Sequence, residues 1–312
     1  MRFLKALPAR IAAALMFLAP HAPVAARPAA APPLSAPPAA DTTRIAATPA
    51  LWVVKDADTT IYLFGTIHLL APRYDWLEGP VKQAFERSDE LVVETVPPEG
   101  EEAQRIVTRL AVDPDGRSLR AKLPRRIAAR YAKELAAAGL PVNALDRYRP
   151  WFAALSLSML QYNKMGLEPG SGVDQRLIAA ARAAGKPVDP LEGFEQQLDF
   201  LATLSDRDQL RFLRLSLDDA QEAPKVIGKL TSAWATGDED ALAREMNKGM
   251  GKMPALARLL LDDRNARWAQ WIKARLDRPG TVFVAVGAGH LGGRASVQAA
   301  LAKLGIASER VR

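Results

Sequence analysis

The sequence predicts an α/β fold: a central mixed sheet of two similar βαβ-type halves, flanked by helices and carrying a helical insertion. Three observations predict it. An apolar, β-rich run ends in Gly-x-x-His within Thr60–Leu70, and another does so within Thr281–Leu291. Each copy is followed by a helical stretch and then a further apolar run. Between the copies, over about 99–277, helical periodicity dominates.

The chain opens on a targeting pattern. Arg2, Lys5 and Arg10 give a basic start, Ile11–Leu18 a short apolar core, and Val24-Ala25-Ala26 the small residues of a cleavage site. Residues 1–26 therefore read as a secretory signal peptide. The apolar run is too short for a spanning helix, so no stable membrane span is expected after cleavage; an uncleaved anchor is the alternative. Cleavage removes three positive charges and takes the net charge from +7 to +4. That surplus does not argue for nucleic acid, and an exported protein rarely meets any. The sequence has no cysteine, which excludes disulfides, thiolate metal sites, cysteine nucleophiles and a lipoprotein anchor. Secretion, into the periplasm for a Gram-negative source, is the expected destination.

Residues 27–48 contain 13 Pro or Ala among 22 and almost no large apolar residue, which reads as a linker. The folded domain is expected over 49–312. Leu51–Val54 and Thr59–Phe64, separated by Lys55–Asp58, read as a hairpin. A loop with Pro72 leads to a helix over Trp76–Arg87, with Val81, Ala84 and Phe85 on one face. Glu90–Thr95 reads as a strand, ended by Pro97-Pro98. In the insertion, helices are expected over 125–138, 150–165, 173–184, 209–220, 226–235, 239–246 and 262–276. Lys186–Pro190 is a short strand leading into Leu191-Glu192-Gly193. In the second half, Thr281–Val286 meets the Gly287/His290 turn, a helix runs over Arg294–Leu304, and Ile306–Val311 closes as a strand. The two turns are expected to meet at the carboxyl edge of the sheet, where open α/β folds bind ligands. The insertion is expected to form a lid or substrate-shaping layer over that edge.

The chain has three histidines, and His21 lies in the signal segment. The other two, His68 and His290, each stand three residues after a glycine, Gly65 and Gly287, at a strand exit. Glycine lets the backbone turn sharply and approach a ligand. Two neutral imidazoles supply two metal ligands, and a carboxylate can supply a third. The structural alternative is a pair of core or capping histidines. Glu94 ends an apolar strand, suited to a metal or to general-base work, or else to an exposed strand end. Glu192 ends the other short strand in the same way. Asp174 follows Gly170-Ser-Gly172 and reads as a helix N-cap; Glu168 reads as surface. Gly287-x-Gly289-x-x-Gly292 mimics a dinucleotide fingerprint, but only 20 residues follow it, too few for that domain. The chain has no Gly-x-Ser-x-Gly elbow, His-Glu-x-x-His helix or Walker A loop. The basic run Arg117, Arg120, Lys122, Arg125, Arg126, Arg130 and Lys133 reads as a solvated helix face rather than a membrane patch. Met246, Met250 and Met253 read as core packing rather than a Cu(I) site.

With these motifs the chain resembles the TraB/GumN group, which includes the Tiki membrane proteases. The resemblance rests on Gly65-Thr-Ile-His68, Glu90–Thr95, Tyr148-Arg-Pro-Trp151 and Gly172-Val-Asp174. It continues through Gly185–Glu192, Gln197-Leu198, Arg264-Asn265 and Val286–Gly292, in the family's order. It implies a fold related to the erythromycin esterase and ChaN-like proteins, and for Tiki-like members a metal-dependent protease using Mn or Co. By resemblance, His68 and His290 are the paired motif histidines and Glu94 the acidic residue. Glu192 matches a Leu-Glu-Thr position, but Gly193 stands where threonine is usual, which puts threonine contacts there in doubt.

The expected function is a secreted, metal-dependent hydrolase, with a peptide bond favoured by resemblance alone. His68, His290 and Glu94 would hold the metal, and Glu94 or Glu192 would accept a proton from water. A periplasmic haem- or other ligand-binding protein without turnover stays open, as do a metal-free esterase with histidine as general base and a scaffold whose site has decayed. The sequence leaves the oligomeric state and the particular small-molecule or peptide substrate open.

Overall fold

The structure, a computed structural model, describes residues 43–167, 170–220, 222–248 and 253–312. The expected signal peptide, the linker up to residue 42, Glu168 and Met250 lie outside the described residues.

Eight strands are described: β1 (Ile45–Ala46), β2 (Leu51–Lys55), β3 (Thr59–Thr66), β4 (Tyr74–Asp75), β5 (Glu90–Val93), β6 (Val188–Pro190), β7 (Gly280–Gly287) and β8 (Glu309–Arg310). Six form one mixed sheet in the order β6-β5-β7-β3-β2-β8. The strands β6, β5, β7 and β3 run parallel, and the β2–β3 hairpin is antiparallel as expected.

Alternation along the parallel strands buries both faces, the condition under which a parallel sheet is stable. Ile61, Leu63, Val92, Val282, Val284 and Val286 face one way, onto the helices Asp263–Leu276 and Val297–Lys303 through Trp268, Ile272 and Leu301. Phe64, Leu91, Val93, Phe283 and Ala285 face the other way, into the larger core. There Phe64 stacks on Trp76 with ring centroids 5.7 Å apart, and Trp234 meets Trp76 edge-on at 6.3 Å. That core is closed by the helices Gly79–Arg87, Pro150–Lys164, Val173–Ala183, Asp206–Asp219 and Ala223–Ala235.

The two similar halves interleave instead of lying side by side. The crossover from β3 to β5 passes β7, and the crossover from β7 to β8 passes both β3 and β2. The two Gly-x-x-His strands are therefore nearest neighbours at the centre of the sheet.

Several boundaries differ from expectation. The helix expected from Trp76 starts at Gly79, because Tyr74–Asp75 pairs in parallel with Ile45–Ala46 and Trp76 turns into the core. The end of the expected linker thus belongs to the fold, with Arg44 bonding Asp75 through Nε at 2.8 Å. The closing strand shrinks to Glu309–Arg310, paired with β2. The insertion supplies the edge strand β6, the short strand expected over Lys186–Pro190, which spans Val188–Pro190. It also holds helices that the sequence reading missed: Glu101–Ala111, Phe194–Ala202 and the single turns Leu119–Lys122 and Pro254–Ala257. Met253 is buried, as expected for core packing. Among the described residues, no helix is long and apolar enough to cross a membrane.

Candidate active site

The carboxyl ends of four parallel strands converge on one buried cluster. His68 follows β3, His290 follows β7, Glu94 follows β5 and Glu192 follows β6. They are 2–7% exposed, and Asp174, Gln197, Arg264 and Asn265 beside them are 1–2% exposed.

Glycines create the room. A β-carbon on Gly65 would meet Cα and Cβ of Ala288 at 3.0 Å, so this glycine lets the end of β3 pack against the β7 turn. One on Gly287 would lie 2.9 Å from Glu94 Oε1, 3.6 Å from His290 Cδ2 and 3.9 Å from His68 Nε2. Those three side chains thus border one small volume over Gly287. Gly172 lies against the His68 backbone, and the Val173 amide donates to the Ile67 carbonyl at 3.0 Å.

That contact brings in Asp174. The expected N-cap role is not made: Gly172 holds the cap position, and Asp174 sits in the first turn of the helix. Its carboxylate instead accepts from Thr66 Oγ1 and stands 2.7 Å from His68 Nδ1. An ionised carboxylate can only accept, so Nδ1 of His68 carries a proton towards it.

His290 is fixed in a parallel way. Asn265 Nδ2 donates to the Ala295 carbonyl at 2.6 Å, which turns its Oδ1 to His290 Nδ1, also at 2.6 Å. The proton of this ring is again on Nδ1. Its Nε2 accepts from Arg264 Nη1 at 3.1 Å, and arginine can only donate. Burial first, then the adjacent Arg264 charge, drives the pKa of His290 down to about 3, against the pull of Glu94. The ring is neutral at ordinary pH and packs on Trp268 at 4.5 Å.

Arg264 is the hub. Its Nε donates to Glu192 Oε2 at 2.8 Å, its Nη2 to Glu94 Oε2 at 2.7 Å, and its Nη1 to the Leu260 carbonyl at 3.2 Å as well as to His290. A π-helical segment, Arg258–Asp262, precedes it, a distortion frequent at functional sites. Glu94 Oε1 accepts from the Gly287 amide at 2.6 Å and lies 3.7 Å from His290 Nε2. Burial alone would raise the Glu94 carboxyl. Arg264, with help from His290, His68 and the Gly287 amide, outweighs it and holds the pKa at about 2. Glu192 takes a second guanidinium, Arg267 Nη2, on its Oε1 at 3.1 Å. Gln197 Nε2 lies 3.3 Å from Glu192 Oε2 and 3.5 Å from Glu94 Oε2.

All nine residues expected at the site are thus in one place: His68, His290, Glu94, Glu192, Asp174, Arg264, Asn265, Gly65 and Gly287. Sequence reasoning gave no role to Thr66, Gln197 or Arg267. Thr66 and Gln197 stand only inside the motifs Gly65-Thr-Ile-His68 and Gln197-Leu198, and Arg267 carries no pattern of its own.

A divalent metal fits this donor set in kind. Both imidazoles are anchored through Nδ1, the arrangement that orients metal-ligating histidines; the His290 ring is neutral and Glu94 is ionised. One contact competes: an ion on His290 Nε2 has to displace Arg264 Nη1. Among the described residues no three His, Asp or Glu side chains are already grouped around one ion position. Arg264 supplies the positive charge between Glu94, Glu192 and His290.

Fold and cluster together define an α/β protein with paired Gly-x-x-His turns over a buried acid–arginine network. The chain belongs to the TraB/PrgY/gumN family, whose profile matches residues 50–310. It is 24% identical over 249 residues to the uncharacterized protein YbaP of Escherichia coli strain K12, covering 80% of this chain and 90% of that protein. It shows the same identity and coverage with the YbaP of Shigella flexneri. No solved structure matches the chain.

Proposed function

We propose that this protein is an exported hydrolase of amide or ester carbonyls, with a peptide bond as the favoured substrate and a divalent metal, Mn or Co, as its cofactor. The carrying observation is that both imidazoles are tethered through Nδ1 and border the same volume as Glu94 Oε1. His68 Nε2, His290 Nε2 and Glu94 would hold the ion. A bound ion lowers the pKa of a water and polarises a carbonyl. Asp174 and Asn265 keep the two rings in the ligating tautomer. Glu192, with Glu94 on the ion, would take the proton that the water loses, and it also fixes Arg264. Arg264 then faces the reacting oxygen as a charge-stabilising donor.

A second reading is favoured by the Arg264–His290 contact, and it needs no metal. Arg264 is then the electrophile, and His68, backed by Asp174, takes the proton of the attacking water.

Export rests on the pattern of residues 1–26, and N-terminal sequencing of the mature protein tests it. The function is tested by metal analysis of the purified protein beside His68→Ala and His290→Ala, with peptide and ester hydrolysis measured with and without chelator. Near-stoichiometric metal, lost in both folded variants together with activity, supports the metal reading. Chelator-resistant hydrolysis without metal supports the second. No hydrolysis under any metal sinks both.

A further inference from the structure

The helical layer carries a second concave site, built from residues that the histidine cluster does not use. The start of the Arg125–Ala137 helix and the start of the Asp206–Asp219 helix border a cavity of about 460 Å³. That volume falls in the range of small-molecule sites, roughly 300–1,000 Å³. Leu123, Ile127 and Leu210 give it an apolar lining. Arg207, Arg211 and Arg214 line it as well, spaced four and three residues apart on one face of their helix. Lys122 is the fourth cation in the wall and is paired with Asp113. The three arginines have no ion-pair, hydrogen-bond or aromatic partner among the described residues. No carboxylate lines the cavity to offset them.

We propose that this cavity binds a small anionic amphiphile, with its carboxylate or phosphate head on Arg207, Arg211 and Arg214 and a short apolar tail against Leu123, Ile127 and Leu210. The head follows from guanidinium geometry, which matches both anions with paired N–H donors. The tail follows from the apolar lining, which a bare inorganic anion would leave unused. The ligand is a free molecule rather than a bilayer surface. Val142 is the one large apolar side chain exposed among the described residues, so the rim of this cavity has no apolar residue to insert into lipid.

The test is calorimetric titration of the purified protein with decyl phosphate below its micellar concentration. Inorganic phosphate, decyltrimethylammonium, and vesicles of mixed zwitterionic and anionic phospholipid serve as comparison probes. Saturable one-to-one binding of decyl phosphate is expected. It should weaken at least about tenfold in Arg211→Gln/Arg214→Gln, the loss expected for two charge-assisted hydrogen bonds. Inorganic phosphate should bind at least about tenfold more weakly, for want of the apolar contact, and the ammonium amphiphile should not bind. Thermal melts confirm that the variant folds, and the exposed Arg207→Gln serves as a second variant if it does not. Undiminished binding in the folded variants overturns the proposal, as does equal binding of the cationic amphiphile. Binding confined to vesicles also overturns it and makes the patch a membrane contact.

Discussion

Oδ2 of Asp174 stands 2.7 Å from Nδ1 of His68, across 106 residues of chain. The matching partner of His290 is an amide, Asn265, at 2.6 Å. The two rings look alike in sequence, yet only His68 has a carboxylate behind it, and a carboxylate makes the far nitrogen more basic. Asp174→Asn is therefore expected to lower turnover by about 10–100-fold while the protein stays folded. Steady-state kinetics beside a thermal melt checks this; full activity in the folded variant would remove Asp174 from the mechanism.

Arg264 compensates two buried carboxylates at once, Glu94 and Glu192. Arg264→Met leaves Glu94 without its guanidinium and Glu192 with Arg267 alone, and is expected to destabilise the fold by about 3–5 kcal/mol. Adding Glu94→Gln to that variant should recover part of the loss, because the two sites are coupled. Urea denaturation of both variants measures it.

Acid should loosen the site in a defined window. Glu94 has a folded pKa of about 2, below its ordinary 4.5. A depressed carboxyl contributes stability that is complete above the ordinary value and is lost as pH falls through the folded one. Metal-free protein is expected to lose stability as pH drops from about 4.5 towards 2. Glu94→Gln should flatten that part of the curve, as read by urea midpoints across the range.

Two glycine substitutions should act in opposite directions. A β-carbon at Gly172 would sit 2.3 Å from the His68 carbonyl oxygen, a backbone atom that cannot swing away. Gly172→Ala is expected to cost at least about 1–3 kcal/mol and to disturb His68. Gly228, inside the Ala223–Ala235 helix, has nothing within 4 Å of its β-position. Gly228→Ala is expected to stabilise by about 0.4–1 kcal/mol. Thermal melts of the two variants compare them directly.

Much of the architecture was legible because its signals are local. The apolar, β-rich runs Ile61–Phe64 and Val282–Ala285 mark the strands, and the repeated Gly-x-x-His marks their exits. The pairing of Asp174 with His68 was not legible. An acid after a glycine before a helix looks like a cap, and only the packing of Gly172 against His68 redirects it. The central place of Arg264 was hidden likewise. In sequence it is one charge on an amphipathic helix, and resemblance alone singled it out. Ile45–Ala46 read as linker because two residues carry no periodicity; their pairing with Tyr74–Asp75 is a tertiary fact.

The interleaved sheet also sets an order of assembly. Strand β7 lies between β5 and β3 and pairs with both, yet it is translated long after either. Until it arrives, the β2–β3 hairpin and the β5–β6 pair share no strand neighbour, and Glu94 lacks the Gly287 amide that holds it. Such long-range pairing is slow to form. A growing chain therefore completes the cluster only when its central strand is inserted and His290 follows it. The connectivity thus makes completion of the cluster a late event in synthesis.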